Sequence, residues 1–188
     1  MYLENINGPS DIQKLNLDEL RILADETRDA LIHKISLARG HNGPNLGMVE
    51  VTTALHYVFH SPIDKFVFDV SHQSYPHKIL TGRKQAFLDE EHFHDVTGYP
   101  NPEESEHDFF TIGHTSTSIS LALGLAKGRD LNHGKENIIA IIGDGSLSGG
   151  EALEALDYAG EYRNNLIIIV NDNDQSIAEN HGGLYKNL

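Results

Sequence analysis

The chain has 188 residues, of which 39% are hydrophobic and 22% are charged, and its formal net charge is −14. So acidic a chain argues against nucleic acids and anionic membrane surfaces as partners, because binding to phosphate backbones needs clustered lysine and arginine. It contains no cysteine, which excludes disulfides and thiol chemistry and fits a cytoplasmic protein. The apolar runs are strand-length, so we expect no membrane-spanning segment.

The first predicted helix follows a capping box formed by Asn16 and Glu19, and Gly40 ends it. Its apolar positions recur at helical spacing and are expected to face the core: Leu20, Leu23, Ala24, Thr27, Ala30, Leu31 and Ile35. A glycine-punctuated turn over residues 40–45 leads to a second helix, predicted at about residues 48–59 and ended by Pro62.

Three short apolar runs, at residues 65–70, 138–142 and 166–170, predict strands. Residues 91–113 are polar and weakly periodic, as expected of an active-site loop. A helix is predicted over residues 115–131, with Ile119, Leu121, Ala122, Leu125 and Ala126 on its buried side, and another between the second and third strands. This order predicts an α/β fold with a doubly wound, mostly parallel sheet and helices on both faces.

Polar side chains follow two of the predicted strands at their carboxyl ends, where ligands bind to parallel sheets. Asp144 comes directly after the second strand, and Asn173 follows the third. Neighbouring strands lie about 4.8 Å apart, so these two side chains can place oxygens on one hard cation such as magnesium. The glycine-rich segment 145–150 opens the intervening helix and offers free N–H groups to a phosphate.

Other interpretations of these motifs fit less well. A lone Gly-Asp-Gly is usually a tight turn, but the distal Asn173 favours a site. A dinucleotide fingerprint fails because Ser148 occupies its third glycine position. Twelve histidines raise the question of a zinc site, but the histidine pairs lack the helical spacing and the third ligand that zinc needs. His41, His72 and His114 stand out because each lies at a glycine-rich turn or a strand end.

Gly143-Asp144-Gly145, followed just under thirty residues later by Asn173, resembles the motif that binds magnesium and thiamine diphosphate. The segments at residues 40–52, 69–83, 104–108 and 113–118 extend the resemblance over nearly the whole chain. By them the chain is identified as a member of the 1-deoxy-D-xylulose-5-phosphate synthase family, in its N-terminal diphosphate-binding domain. The related transketolases typically have Gly-Pro-Leu-Gly where this chain has Gly-His-Thr-Ser at residues 113–116.

The resemblance implies a set of site residues. Magnesium would be held by the Asp144 and Asn173 side chains and by the Gln175 carbonyl. The residues implied to contact the cofactor are His72, Gly113, His114, Thr115, Asp144, Gly145, Ser146, Asn173 and Ile177. His41 is implied as the catalytic residue, reaching the substrate to transfer or orient a proton.

The resemblance also implies the reaction, a thiamine diphosphate-dependent condensation of pyruvate with glyceraldehyde 3-phosphate and loss of CO2. Family members use a glutamate from a second domain, and Glu151 and Glu154 lie in the helix behind the diphosphate, where neither can replace it. We therefore expect residues 1–188 to be one cofactor-binding domain, inactive alone, that needs pyrimidine-binding and C-terminal domains in a homodimer or a partner chain. Transketolase-type ketol transfer and a non-catalytic cofactor-binding or assembly role are the alternatives.

Three residues depart from the family pattern. Arg39 stands where the family usually has glycine, Asn42 where a small apolar residue is common, and Ser71 where glycine is usual. These positions lie in the turns expected to face the substrate. The departures therefore affect the assignment of the substrate and leave that of the cofactor intact.

Overall fold

A computed structural model of the protein describes residues 1–38, 40–162, 165–172 and 180–186. These residues form two compact units. The first combines residues 1–63 with 71–111, and the second combines residues 64–70 with 112–188. The chain therefore passes from one unit to the other three times, at residues 63–64, 70–71 and 111–112.

The first unit is helical in its described part. Its helices are α1 (Pro9–Ile12), α2 (Leu17–Leu37), α3 (Gly43–Leu46), α4 (Val49–Val58), α5 (Tyr75–Lys78) and α6 (Gln85–Leu88), with 3-10 turns at Leu3–Asn5 and Glu90–His92 and a π turn at Ile79–Arg83. Its core includes the fully buried side chains of Leu23, Leu31, Ile79 and Phe87. The polar segment after His92 forms turns and bends, as the sequence predicts for a loop.

Helix α2 starts as predicted from the capping box. The Asn16 side chain accepts hydrogen bonds from Asp18 N and Glu19 N, and Glu19 accepts one from Asn16 N. Six of the seven predicted core positions are buried, but Ile35 is only half-buried and Lys34 is buried instead. The Lys34 ammonium lies over the Phe87 ring, 4.3 Å from its centroid, and donates to Phe93 O at 2.9 Å.

The second unit contains a parallel sheet of three strands, β1 (Lys65–Phe68), β2 (Ile138–Gly143) and β3 (Leu166–Asn171), in the order β1-β2-β3. Helix α7 (Ser118–Leu131) connects β1 to β2, and α8 (Asp144–Leu147) and α9 (Gly150–Glu161) connect β2 to β3. All five residues predicted for the middle strand are buried. The predicted α/β class and parallel sheet are confirmed.

Two details of the second unit differ from expectation. Helix α7 begins at Ser118 and not at residue 115, because Ser116 has a positive φ of 71° that no helical turn accommodates. Of its predicted buried side chains, Leu121 and Leu125 are only half-buried. The glycine-rich segment forms two helical pieces, α8 and α9, where one helix was expected. In the described ranges no helix is long and apolar enough to cross a membrane.

Candidate cofactor and metal site

Asp144 lies directly after the central strand, at the carboxyl edge of the sheet. The residue is 4% exposed. One carboxylate oxygen, Oδ2, accepts from Asn180 Nδ2 at 2.5 Å, and the Asp144 carbonyl accepts from Tyr185 Oη at 2.9 Å. Within the described part of the chain, neither lysine nor arginine pairs with this carboxylate. A buried carboxylate whose described donor, Asn180 Nδ2, is neutral is suited to a divalent cation, because burial of an unpaired charge is otherwise costly.

The partner strand ends at the same place. Gly143 pairs with Asn171 in the parallel register of β2 and β3, so the residues that follow both strands leave from one edge. Asn173, Gln175 and Ile177 follow Asn171 in sequence but lie outside the described residues. Their predicted roles as ligands and ring contacts stay predictions.

Gly113, His114 and Thr115 form an exposed loop in the second unit. His114 Nδ1 lies 2.8 Å from Thr115 O. A carbonyl can only accept, so Nδ1 carries the proton, and in the neutral imidazole Nε2 is left as an acceptor. The loop therefore offers an exposed imidazole with a defined tautomer.

Asp69 anchors the loop that follows, a role that the sequence analysis missed. It is 1% exposed and follows β1, and its two carboxylate oxygens accept from Ser116 N at 2.8 Å and Ser118 N at 2.9 Å. Ser118 is the first residue of α7, so Asp69 caps the positive end of that helix from a neighbouring strand. The available signal was an aspartate at the carboxyl end of a strand.

Ser116 and Gly149 join this loop to the segment after β2. Ser116 Oγ donates to Ser146 O at 2.8 Å, and the Gly149 amide donates to the same carbonyl at 3.1 Å. A Cβ added at Gly149 would overlap with Ser116 Oγ and lie 2.7 Å from Ser116 Cβ. Glycine is therefore required at residue 149 by close approach and not by its backbone angle, which is φ −68°.

Gly149→Ala should destabilise the protein by about 1–3 kcal/mol, the usual effect of overpacking. Gly150→Ala is the matched control, because an added Cβ there meets nothing within 4 Å. Urea unfolding of both variants would measure the difference. Adding Ser116→Gly should restore the stability of Gly149→Ala, because it removes the overlapping side chain and suits the positive φ of residue 116. Equal stabilities of the two alanine variants would contradict this account.

His41 and His72 come together in the first unit. Their ring centroids lie 5.3 Å apart at an interplanar angle of 77°, and the His41 ring also meets Tyr99 edge-on at 5.8 Å. His41 is exposed and His72 half-buried. Two of the predicted site histidines are thus neighbours, and an aromatic residue that the sequence analysis did not select completes the cluster.

A buried polar network fixes the segment that carries Tyr99. Asp108 accepts from Arg83 at 2.6 and 3.0 Å and from Asn101 N at 2.8 Å, and Glu104 accepts from Lys78 at 2.5 Å and Thr97 N at 2.7 Å. The Arg83 guanidinium and the His77 imidazole hold the pKa of Asp108 far below its usual range, against the opposing effect of burial. Both carboxylates therefore stay ionised and tie residues 97–108 to helix α5 and the turn after it.

The family model described as 1-deoxy-D-xylulose-5-phosphate synthase matches residues 3–188. The chain belongs to this family. Curated relatives include the 1-deoxy-D-xylulose-5-phosphate synthases of Alkaliphilus oremlandii, 51% identical over 183 residues, and Halalkalibacterium halodurans, 51% identical over 188 residues. They cover 97% and 100% of this chain, which spans 29% and 30% of their length.

Solved structures with the same fold include two transketolases. The enzyme from Campylobacter jejuni matches 92% of this chain and 32% of its own with a TM-score of 0.74 at 21% identity, and that from Leishmania mexicana matches 84% and 28% with a TM-score of 0.68 at 22% identity. At such identities the likeness concerns the fold. The expectation that the chain resembles the 1-deoxy-D-xylulose-5-phosphate synthase family, with a transketolase-like α/β fold, is confirmed.

One departure from the family pattern has a structural consequence. Ser71 has a φ of 78° and Val70 a φ of 56°, both in the left-handed region. Glycine enters that region freely, whereas other residues pay roughly 1–2 kcal/mol. A glycine at residue 71 would suit this backbone, and this chain holds the turn with serine. Arg39, another departure, lies outside the described residues.

Proposed function

We propose that this chain supplies the diphosphate- and magnesium-binding part of a thiamine diphosphate-dependent transferase, which condenses pyruvate with glyceraldehyde 3-phosphate to 1-deoxy-D-xylulose 5-phosphate and releases CO2. The family match over residues 3–188 supports the reaction. The observation that carries the cofactor site is the buried Asp144 carboxylate, which accepts from the neutral Asn180 amide and has no lysine or arginine partner within the described ranges.

The residues present fit this cofactor. Asp144 and Asn173 would hold magnesium through side-chain oxygens and Gln175 through its carbonyl, a hard-donor set that magnesium prefers. Gly145 and Ser146 would bind the diphosphate. When bound, thiamine diphosphate supplies the electron sink that pyruvate decarboxylation requires.

The other proposed roles follow the family resemblance. Gly113, His114 and Thr115 would line the cofactor, with His114 presenting its Nε2 acceptor. His72 would contact the cofactor, and Ile177 would pack near the thiazolium ring. His41 would hold or move a proton at the substrate, because an imidazole can act as either acid or base.

We also propose that the complete catalyst includes a pyrimidine-binding domain, from a homodimer or a partner chain. Acid catalysis at the pyrimidine ring needs a carboxylate at that end of the cofactor. Glu151 and Glu154 lie in α9, behind the proposed diphosphate position, so neither is suited to that task. Residues 1–188 alone should then show no turnover.

A chimera tests the proposal directly. Residues 1–188 would replace the matching segment of the Alkaliphilus oremlandii synthase, to which they are 51% identical. The chimera should release CO2 from pyruvate only when glyceraldehyde 3-phosphate, thiamine diphosphate and magnesium are present. Asp144→Ala should abolish magnesium-dependent cofactor binding, measured by calorimetry, and reduce turnover at least 10²-fold, since metal-ligand loss removes the cofactor itself.

The alternatives predict other results. Ketol transfer from a ketose phosphate without pyruvate decarboxylation would move the assignment to a transketolase-type reaction. A folded chimera that binds the cofactor but turns over neither donor would favour a binding or assembly role. Asp157→Ala serves as the control, because Asp157 is an exposed aspartate of α9 and is not a proposed ligand.

A further inference from the structure

Asn45 joins the two segments that carry His41 and His72. It is fully buried, at 0% exposure, within α3 of the first unit. Its side-chain nitrogen donates to His41 O at 2.7 Å and to His72 O at 2.8 Å, and its side-chain oxygen accepts from Tyr75 N at 2.8 Å. One side chain thus makes three short hydrogen bonds, two of them to the backbones of the predicted site histidines.

Only a short primary amide satisfies this arrangement. The two carbonyls need two donors on one nitrogen, and the Tyr75 amide needs an acceptor on the same side chain. Aspartate keeps the acceptor but has no donor and faces two carbonyl oxygens with negative charge. Alanine removes all three hydrogen bonds, including the one to the buried Tyr75 amide.

The backbone positions that Asn45 fixes determine where the two rings lie. His41 is exposed, and the turn from Gly40 to Pro44 has few buried side chains to hold it. The Asn45 bond to His41 O therefore supplies a fixed point beside the ring, and the bond to His72 O does the same for its neighbour. Ring contacts of His41 with His72 and Tyr99 complete the support.

We propose that Asn45 is a positioning residue, which holds His41 and His72 as a pair at the spacing their chemistry requires. The inference rests on the proposed function, which gives His41 a role at the substrate and His72 a role at the cofactor. Asn45 contacts neither molecule in this account and acts through the two histidines. Misplacement of a reacting group by about 1 Å can reduce catalysis by 10²-fold, so loss of Asn45 should be severe.

The first experiment uses NMR of the 188-residue chain with labelled histidines. Ring centroids 5.3 Å apart bring His41 and His72 protons close enough for cross-relaxation. This cross-peak should be present in the unchanged chain and lost in Asn45→Ala. Ile12→Ala, a fully buried change in the same unit that also lowers stability, should keep it. A cross-peak that persists in a folded Asn45→Ala chain would overturn the proposal.

The second experiment uses the chimera of the preceding section. Asn45→Ala should reduce kcat/KM for pyruvate on the order of 10²-fold while thiamine diphosphate affinity changes far less. Asn5→Ala, an exposed asparagine in the same unit, controls for the substitution type. An equal loss of activity and cofactor affinity would indicate general damage and contradict positioning. If His41→Gln keeps full activity although the NMR result holds, the proposed role of His41 fails and the structural role of Asn45 stands.

Discussion

Replacing Asp69 with alanine is expected to lower the free energy of unfolding by about 3–6 kcal/mol and to release the loop at residues 113–118. Hydrogen bonds to a buried charged group contribute about 1.5–3 kcal/mol each, and Asp69 accepts two, from Ser116 N and Ser118 N. Alanine would leave both buried N–H groups without an acceptor. It would also remove the negative charge from the positive end of α7.

The loss of stability should be larger in the loop at residues 113–118 than in the protein as a whole. Hydrogen exchange of the Ser116 and Ser118 amides should become faster by more than the drop in overall stability explains, because their acceptor is gone. Asp69→Asn should have a smaller effect, since one oxygen remains to accept and the new NH2 group faces the other N–H. The order of stability should therefore be aspartate, asparagine, alanine.

Asp64 provides a matched control in the same unit. It is 5% exposed and lies before β1, where it accepts from Asn137 N at 2.7 Å and Asn137 Nδ2 at 2.9 Å. Asp64→Ala should also destabilise the protein, yet leave the exchange of Ser116 and Ser118 tied to global unfolding. If hydrogen exchange of the Ser116 and Ser118 amides becomes faster by the same factor in both variants, Asp69 has no special role in the loop.

The features predicted correctly from sequence are those determined by residues close together in the chain. The Asn16 capping box, the apolar strand at residues 138–142 and the aspartate after it depend on neighbours in sequence, and the structure has each of them as predicted. Family resemblance added residues such as His72 and His114 but gave no geometry for them. The start of α7 was placed three residues early because helical spacing ignores a cap that comes from another strand.

The residues that were missed act over long separations. Asp69 reaches a loop 47 residues away, and the oxygen of Asn45 meets the amide of Tyr75, 30 residues away. Lys34 lies on the buried face of α2, three residues after Leu31, but a lysine is normally expected at the surface. It is buried because its aliphatic stem and ammonium pack on aromatic rings from later segments. No local pattern encodes such contacts, so they appear only once the chain is folded.

Acid should destabilise the first unit through a cluster of two buried histidines, His56 and His77, and the half-buried His107. His56 Nε2 lies 3.0 Å from His77 Nδ1, His77 Nε2 lies 3.1 Å from Asp108 Oδ1, and His107 Nδ1 lies 2.8 Å from Ser61 Oγ. Burial lowers the pKa of His56 and His77, and it lowers the pKa of His107 to about 4 with help from the charges of His77 and Arg83. All three imidazoles are therefore neutral in the folded protein at pH 7.

The hydrogen bonds explain why a proton is not tolerated. Asp108 can only accept, so His77 carries its proton on Nε2 and its Nδ1 accepts from His56. A proton added to His77 Nδ1 would face the N–H of His56 at 3.0 Å, and two donors would oppose each other inside the unit. The proposed tautomers thus exist together only while both rings are neutral.

The sign of the pH effect follows from proton counting. An unfolded histidine has a pKa near 6.5, above the folded value, so below pH 6.5 the unfolded chain binds more protons. Stability is thus fully present above pH 6.5 and falls as the pH decreases, toward about 4 for His107. Each histidine that stays neutral in the folded protein contributes up to about 1.4 kcal/mol per pH unit, so stability falls steadily as the pH drops below 6.5. Below pH 4, protonation of Asp108 in the unfolded chain adds to the loss.

Urea unfolding at pH 7.5, 6.5, 5.5 and 4.5 measures this slope. His107→Gln should reduce the slope between pH 6.5 and 4.5 by up to about 1.4 kcal/mol per pH unit, because one of the three titrating groups is gone. His94→Gln, an exposed histidine of the same unit, should leave it unchanged. A stability independent of pH over that range, or an equal response of the two variants, would mean that the buried cluster accepts protons in the folded state. The hydrogen-bond chain from His56 to Asp108 would then require tautomers other than those assigned.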